Sequence, residues 1–185
     1  MRCCRATPSV TAPELRIQNA RPEVVTALGL KAGTPVVSRE QERYVDGVPW
    51  SLQTSFYSSS LVDRGAIRLR KPDDIEEGTV RYLREALGIE QAGYYDQLRI
   101  RPATDNEEEF FKLRTGSQRS VLEHHRISYD AHGNPFRLTV TVYHPDLTKI
   151  AIYEGRVPAP VRTAPALTAP TADEQTKPEG PDRSG

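Results

Sequence analysis

The chain has 185 residues, in which 25 lysines and arginines balance 25 aspartates and glutamates. A formal net charge of zero gives no global positive field, which argues against a chain that grips nucleic acid by charge alone. Cys3 and Cys4 are the only cysteines and are adjacent, so a disulfide scaffold is excluded. No segment approaches the roughly 18 apolar residues of a membrane span, and no apolar run follows the first arginines. These features predict a soluble cytoplasmic protein without membrane contacts.

The composition divides the chain into a central domain and two tails. Residues 156–185 are rich in Pro, Ala and Thr and hold six of the 15 prolines, which is typical of a disordered segment. The start of the chain, residues 1–13, reads MRCCRATPSVTAP, and we expect it to be disordered as well. The predicted folded domain is residues 14–155, which is long enough to bury a hydrophobic core.

The domain begins with a predicted helix followed by a strand. Val24 and Leu28 fall on one face of this helix, Pro22 suits its first turn and Gly29 suits its end. The stretch KAGTP then turns the chain into an alternating run that begins at Val36. Alternation of apolar and polar residues predicts a strand that leads into a hairpin.

The hairpin sequence occurs twice. Residues 45–57 read VDGVPWSLQTSFY, and residues 131–143 read AHGNPFRLTVTVY. Gly47 and Gly133 lie 86 positions apart (133 − 47), and each supplies the positive φ that a hairpin tip requires. The repeat therefore predicts two hairpins that join one antiparallel sheet.

Alternation along the strand after each turn predicts a core face and a polar face. In the first copy, Trp50 and Leu52 are expected on the core face and Gln53 on the opposite face. In the second copy, Phe136 and Leu138 are expected in the core, and Arg137 on the polar face. The polar faces are thus the first places to seek a ligand site.

Two more helices complete the prediction. The middle helix has Thr79 as a plausible N-cap, Leu83 on its apolar stripe and Gly88 at its end. A polar strand, GYYDQLRIRPA, follows, and then a helix capped by Thr104 or Asp105. The fold class is therefore α+β, an antiparallel sheet of about six strands with about three helices, built from two similar helix–strand–hairpin–strand halves.

No catalytic or metal-binding motif is present. The adjacent His124 and His125 face opposite sides of a predicted strand and cannot share a metal ion. No Ser-His-Asp or Cys-His arrangement can be assembled, so no enzymatic activity, metal site or cofactor is predicted. The candidate ligand-binding residues lie near the sheet's polar face or in the first turn of the middle helix, where free N–H groups favour an anion: Arg43, Gln53, Thr79, Arg81 and Arg137.

Several segments, in this order, carry a family resemblance: ALGLKAGTPV, ERYVDGVPWSLQTSFY, LVDRG, EEGTVRYLREALGI, NEEEFFKLRTGSQRSVL and RISYDAHGNPFRLTVTVYHPD. The ordered set resembles the effector-binding UTRA domain of GntR-type bacterial transcription regulators, HutC subfamily. The resemblance covers roughly Glu14 to Gly155.

The resemblance implies a chorismate-lyase-like fold, a homodimer and a small-molecule effector. Binding of the effector would alter DNA binding by a separate winged helix-turn-helix. No such element can be read in residues 1–13, so DNA contact is expected only through a winged-helix domain outside this chain.

The family's ligand residues are only partly kept. Members that bind amino-sugar phosphates carry Arg-x-Arg on the strand before the first hairpin, where this chain has Gln41 and Arg43. Their two glutamates correspond to Gln53 and Arg137, whereas Tyr143 is retained. Their serine and tyrosine at the middle helix correspond to Thr79 and Arg81. These changes disfavour an amino-sugar ligand and favour an acidic or differently shaped metabolite.

Three functions follow from this sequence, and they differ in what they require. The first is a ligand-sensing, dimerising domain of a transcription regulator. The second is a truncated dimerisation partner that senses nothing. The third is a chorismate-lyase-like enzyme, for which the residues offer no catalytic motif.

Overall fold

The computed structural model describes residues 7–113 and 120–150. One compact unit ends at Thr148, and a second, Lys149–Gly185, lies almost entirely outside the described residues. The strands are β1 (Pro8–Val10), β2 (Glu14–Asn19), β3 (Pro35–Val45), β4 (Val48–Ser58), β5 (Gln91–Pro102), β6 (Ser120–Asp130) and β7 (Pro135–Tyr143). The helices are α1 (Pro22–Leu28), α2 (Ser59–Asp63), α3 (Thr79–Leu87) and α4 (Asp105–Phe111), with a 3-10 turn at Ile67–Arg70.

All of the described strands form one antiparallel sheet. Its order is β1-β3-β4-β7-β6-β5, and β2 pairs with another part of β3. The two predicted hairpins, β3–β4 and β6–β7, therefore lie side by side at its centre, joined through β4 and β7. The predicted α+β antiparallel fold is confirmed, and the described residues add the short helix α2 to the three predicted.

The predicted disorder of residues 1–13 is wrong for its second half. β1 pairs with the end of β3, and the amide of Thr7 donates a 2.8 Å hydrogen bond to Asp46 Oδ1. A short edge strand is held by backbone hydrogen bonds that need no apolar pattern, so composition did not predict it. Residues 1–6 and the predicted tail 156–185 lie outside the described residues.

The helix ends follow local sequence signals. Pro22 begins α1, and Gly29 ends it with a left-handed φ of 59°. The hydroxyl of Thr104 accepts from the Glu107 amide, and the Glu107 carboxylate accepts from the Thr104 amide, which makes a complete capping box on α4. The predicted N-cap of the middle helix is corrected by one residue, because Gly78 is the cap and Thr79 is the first helical residue.

Each hairpin contains a β-bulge directly after its proline. In the first, Tyr44 pairs with Pro49 and Arg43 pairs with Ser51, so Trp50 has no partner in the ladder. In the second hairpin the register shifts in the same way and leaves Phe136 unpaired. A bulged residue leaves the strict alternation of the strand, so Trp50 and Phe136 leave the face of Leu52 and Leu138 on which we predicted them.

Both faces of the sheet are covered by helices. α1 and α4 pack on the face that carries Leu52 and Leu138. The opposite face carries Tyr57 and Phe136, and α2, the 3-10 turn and α3 pack against it in the largest apolar cluster. The polar positions of β4 and β7 face this second side and are largely buried there, which forms a cavity instead of a solvated surface.

Candidate ligand-binding site

A cavity of about 600 Å³ lies on the polar face of the four central strands, β3, β4, β7 and β6. Its wall is completed by β1 and by the segment that leads into α3. The lining side chains from the sheet are Arg39, Gln41, Arg43, Tyr44, Trp50, Gln53, Ser55, Tyr57, His124, Arg126, Arg137, Thr139, Thr141 and Tyr143. The remaining residues come from β1 and the α3 approach: Pro8, Ser9, Val10, Asp74, Ile75, Glu76, Gly78 and Thr79.

Five of the six predicted ligand residues lie together in this cavity. Arg43, Gln53, Thr79, Arg137 and Tyr143 all line it, although they come from four different elements. The sheet brings the four strand residues together because alternate residues of neighbouring antiparallel strands share one face, and α3 adds Thr79. The structure thus supplies one pocket in which these residues can act jointly.

Arg81, the sixth predicted residue, does not line this cavity. Its Nε donates a 2.8 Å hydrogen bond to Glu85 Oε1 one turn later, and its side chain is 63% exposed. This ion pair between i and i+4 satisfies the cation on the surface of α3. The unusual placement of an arginine in the first turn is therefore explained without a bound anion.

Two arginines of the cavity, Arg43 and Arg137, form no ion pair with another described residue, although the carboxylates of Asp74 and Glu76 also line the cavity. The Nε atoms of Arg43 and Arg137 are both buried, and neither has a hydrogen-bond partner there. Arg137 Nη2 donates one 3.3 Å hydrogen bond to Ser128 Oγ, which is a neutral acceptor. Because a guanidinium has five N–H donors and no acceptor, both groups can bind an anion that enters the cavity.

The other two arginines of the cavity are already satisfied. Arg126 makes two 2.7 Å hydrogen bonds to the Asp96 carboxylate, and its guanidinium lies 4.1 Å from the centre of the Tyr94 ring. Arg126 holds the pKa of Asp96 below its ordinary value, and His124 Nε2, 3.0 Å away, acts in the same direction. Sequence analysis missed this group, since Asp96 and Arg126 meet only through the pairing of β5 with β6.

Arg39 is the second satisfied arginine, and it is 5% exposed. Its guanidinium donates to the carbonyls of Leu69, Lys71 and Asp73 at 3.1, 2.7 and 2.6 Å. Burial lowers the pKa of Arg39 from its ordinary value. These bonds fasten the segment between the 3-10 turn and α3 to the sheet, and this segment carries Gly78 into the cavity wall.

One end of the cavity is aromatic. The rings of Trp50 and Tyr143 are 5.7 Å apart at a tilt of 58°, and Tyr44 lies nearby on β3. The β-bulge places Trp50 here, on the same side of the sheet as Gln53. Aromatic walls of this kind suit a ligand with an apolar or planar part.

A second cavity, of about 750 Å³, lies on the other face of the sheet. Its charged groups form an ion-pair network in which Arg101 contacts both Glu107 and Glu123 at 2.6 and 2.5 Å. Burial acts to raise the pKa of Glu123, but hydrogen bonds from Arg101, His125 and Arg99 outweigh it and lower the pKa. These charges compensate one another, whereas Arg43 and Arg137 in the first cavity form no ion pair within the described part of the chain.

The comparisons with known proteins agree with this architecture. The model of the UTRA domain family matches residues 5–149, so the chain belongs to the UTRA domain family. A comparison with curated protein sequences gave no match. Within the described residues, no helix is long and apolar enough to cross a bilayer.

Solved structures of regulators share the fold. A GntR-family transcriptional regulator from Bacillus cereus superposes with a TM-score of 0.67 at 15% identity, over 81% of this chain and 99% of that chain. The effector domain of PhnF from Mycobacterium smegmatis gives 0.68 at 19% identity, over 81% and 89%. A GntR-family regulator from Enterococcus faecalis gives 0.66 at 16% identity, over 80% and 100%. The predicted chorismate-lyase-like fold is confirmed.

Proposed function

We propose that this chain is the effector-sensing domain of a GntR-type transcription regulator of the HutC subfamily, and that it binds a small anionic metabolite in the cavity lined by Arg43 and Arg137. The observation that carries the proposal is that both arginines have a buried, unpartnered Nε within a preformed pocket. DNA would be contacted by a winged-helix domain elsewhere in the regulator.

An anion stabilises this arrangement for a simple physical reason. A partly buried guanidinium without a partner has lost hydration and gained nothing in exchange. A carboxylate or phosphate restores charge-assisted hydrogen bonds in a site shielded from bulk water, where such bonds are strongest. The cavity therefore favours anions over neutral molecules of the same size.

The cavity also offers a route for regulation. Gly78 and Thr79 at the start of α3 line it, so a bound ligand would contact a helix as well as the sheet. A ligand that contacts α3 in only one of its positions shifts the population towards that position. Movement of α3 is the step through which we propose that occupancy is reported.

The exposed surface of β5 supports a homodimer. Among the described strands β5 is the outer one next to β6, and its large apolar side chains are exposed: Tyr94, Tyr95, Leu98 and Ile100. An edge strand of this length with free backbone groups is a template for another strand. We propose that a second copy of the chain covers it.

The ligand proposal is tested by thermal unfolding with a panel of anionic metabolites and neutral analogues. We expect some anions to raise the unfolding midpoint of the wild-type protein by mass action. Arg43→Gln and Arg137→Gln should reduce that rise, and Arg16→Gln, which removes an exposed cation on β2 away from the cavity, should not. Equal responses in all three variants would contradict the proposed site.

A sensor and a non-sensing dimerisation partner are separated by the same panel. The sensor is expected to respond to particular anions in a saturable way. A partner without sensing would remain dimeric and show no saturable response to any compound.

A further inference from the structure

An arginine and a serine face each other across neighbouring strands at each end of the cavity. Arg43 on β3 is directly opposite Ser51 on β4, next to the first β-bulge. Arg137 on β7 is directly opposite Ser128 on β6, next to the second. Both serines are completely buried beneath the cavity.

The two pairs occupy equivalent places in the two hairpins, but with the residue types exchanged. In the first hairpin the arginine is on the strand before the turn and the serine on the strand after it. In the second hairpin the serine comes first and the arginine second. At the 86-residue spacing of the repeat, Ser51 therefore matches Arg137 (51 + 86). Arg43 and Ser128 correspond only through their places in the ladder, because the second turn is one residue longer than the first.

The register of the sheet keeps the two arginines far apart. Arg43 lies at the level of Ser51, and Ser51 pairs with Tyr143 on β7. Arg137 precedes Tyr143 by six positions on that strand (143 − 137), which corresponds to about 20 Å along the sheet. Two strand spacings, about 10 Å in total, also separate β3 from β7.

The side chain of Arg137 does not shorten this separation. Its Nη2 donates to Ser128 Oγ, so the guanidinium is held towards β6, on the side away from β3. One carboxylate or one phosphate group is therefore too small to contact both guanidiniums.

Arg39 and Arg126 cannot substitute as the second cation, since backbone carbonyls and Asp96 already occupy their donors. We infer, on the basis of the proposed function, that the effector carries two separated anionic groups, one bound by Arg43 and the other by Arg137. A dicarboxylate and a phosphorylated carboxylate both have this chemistry.

The two ends differ, so the ligand binds in one orientation. The Arg43 end is bordered by the aromatic rings of Tyr44, Trp50 and Tyr143. The Arg137 end is polar and approaches Gly78 and Thr79 at the start of α3. The anionic group next to an apolar or planar part of the ligand therefore belongs at Arg43.

The test observes the two Nε–H groups directly by proton–nitrogen NMR of the full chain, with each signal assigned by its loss in Arg43→Gln or Arg137→Gln. Inorganic phosphate is expected to shift both signals with independent dissociation constants. A dicarboxylate of suitable length, from a series running from malonate to azelate, should shift both with a single constant. It should bind about tenfold tighter, or more, than the monocarboxylate of equal length.

Single substitutions complete the test. Either Arg43→Gln or Arg137→Gln should reduce the affinity for the best dicarboxylate to that of its monocarboxylate, whereas Arg16→Gln, on the exposed strand β2, should leave it unchanged. For the phosphorylated carboxylates, phosphoglycolate against glycolate gives the same comparison.

The outcomes separate this inference from the proposed function. If the probes shift only one of the two signals, or if no dianion binds tighter than its monoanion, the effector has one anionic group and only the inference fails. If none of the probes shifts either signal, the anion site itself is refuted and both proposals fail.

Discussion

Arg39 provides the most direct test of how the cavity is held together. Replacing it by methionine keeps much of the side-chain volume and removes the guanidinium that joins β3 to the segment before α3. Four carbonyls lose a donor at present 2.6 to 3.3 Å away in the guanidinium: those of Arg68, Leu69, Lys71 and Asp73. The Arg39→Met variant should therefore be less stable, and its ligand cavity should be altered as well.

The magnitude follows from two opposing effects. Each hydrogen bond from a charged donor contributes about 1.5–3 kcal/mol, and a carbonyl left buried without a donor costs about 1–3 kcal/mol. Removal of a buried charge returns several kcal/mol, because the desolvation of the guanidinium is no longer required. We expect the free energy of unfolding to fall by about 3 kcal/mol, comparable to the effect of removing one partner of a buried ion pair.

Urea unfolding monitored by circular dichroism measures this change. A loss of about 3 kcal/mol corresponds to a midpoint lowered by about 10 °C in thermal unfolding of a domain of this size. Arg39→Lys retains the charge but not the planar fork, so its loss should be intermediate. Arg16→Gln is the surface control and should change stability by less than about 0.5 kcal/mol. A loss below about 1 kcal/mol for Arg39→Met would refute the anchoring role.

Three further predictions concern other parts of the fold. Because the folded-state pKa values of Glu107 and Glu123 are lowered, their contribution to stability is present above the unfolded pKa and is lost as the pH falls through the folded pKa. Glu123→Gln should therefore reduce the fall in the free energy of unfolding at acidic pH, measured by urea unfolding over a range of pH. An unchanged pH dependence would contradict this. Gly47 has a φ of 76° with open space around it, so Gly47→Ala should lower the free energy of unfolding by about 1 kcal/mol through backbone strain alone. Gly93 has no positive φ, so Gly93→Ala should not show this loss. Ile100 is 76% exposed on β5 and is expected at the dimer contact. Ile100→Lys should therefore raise the monomer fraction measured by size-exclusion chromatography with light scattering. Ile17→Lys on β2 is the control, and an equal effect of both substitutions would argue against β5 as the dimer contact.

Local sequence signals were sufficient to predict the ends of helices and the positions of hairpin turns. Pro22 and Gly29 delimit α1, Thr104 begins α4, and the repeated glycines mark both hairpin turns. These signals act over a few residues, through fixed φ angles and through capping of free amides, and therefore do not depend on the rest of the chain. The α+β class and the position of the two hairpins followed from them.

The two β-bulges show where local signals failed. Strict alternation placed Trp50 on the same face as Leu52. In the structure, the residue after each hairpin proline is unpaired, and its side chain lies on the opposite face. The bulge depends on how the first strand aligns with the second across the turn, which alternation within one strand does not reveal.

The sequence by itself determined the elements, the repeated hairpin and the polar residue types that face a ligand cavity. Only the tertiary structure decided which of those residues are free to bind. Backbone carbonyls occupy the donors of Arg39, Asp96 pairs with Arg126, and Glu85 on the same helix pairs with Arg81. Arg43 and Arg137 form no ion pair with another described residue. The physical reason is that the binding capacity of a guanidinium depends on its neighbours in space, and pairing of distant strands sets those neighbours.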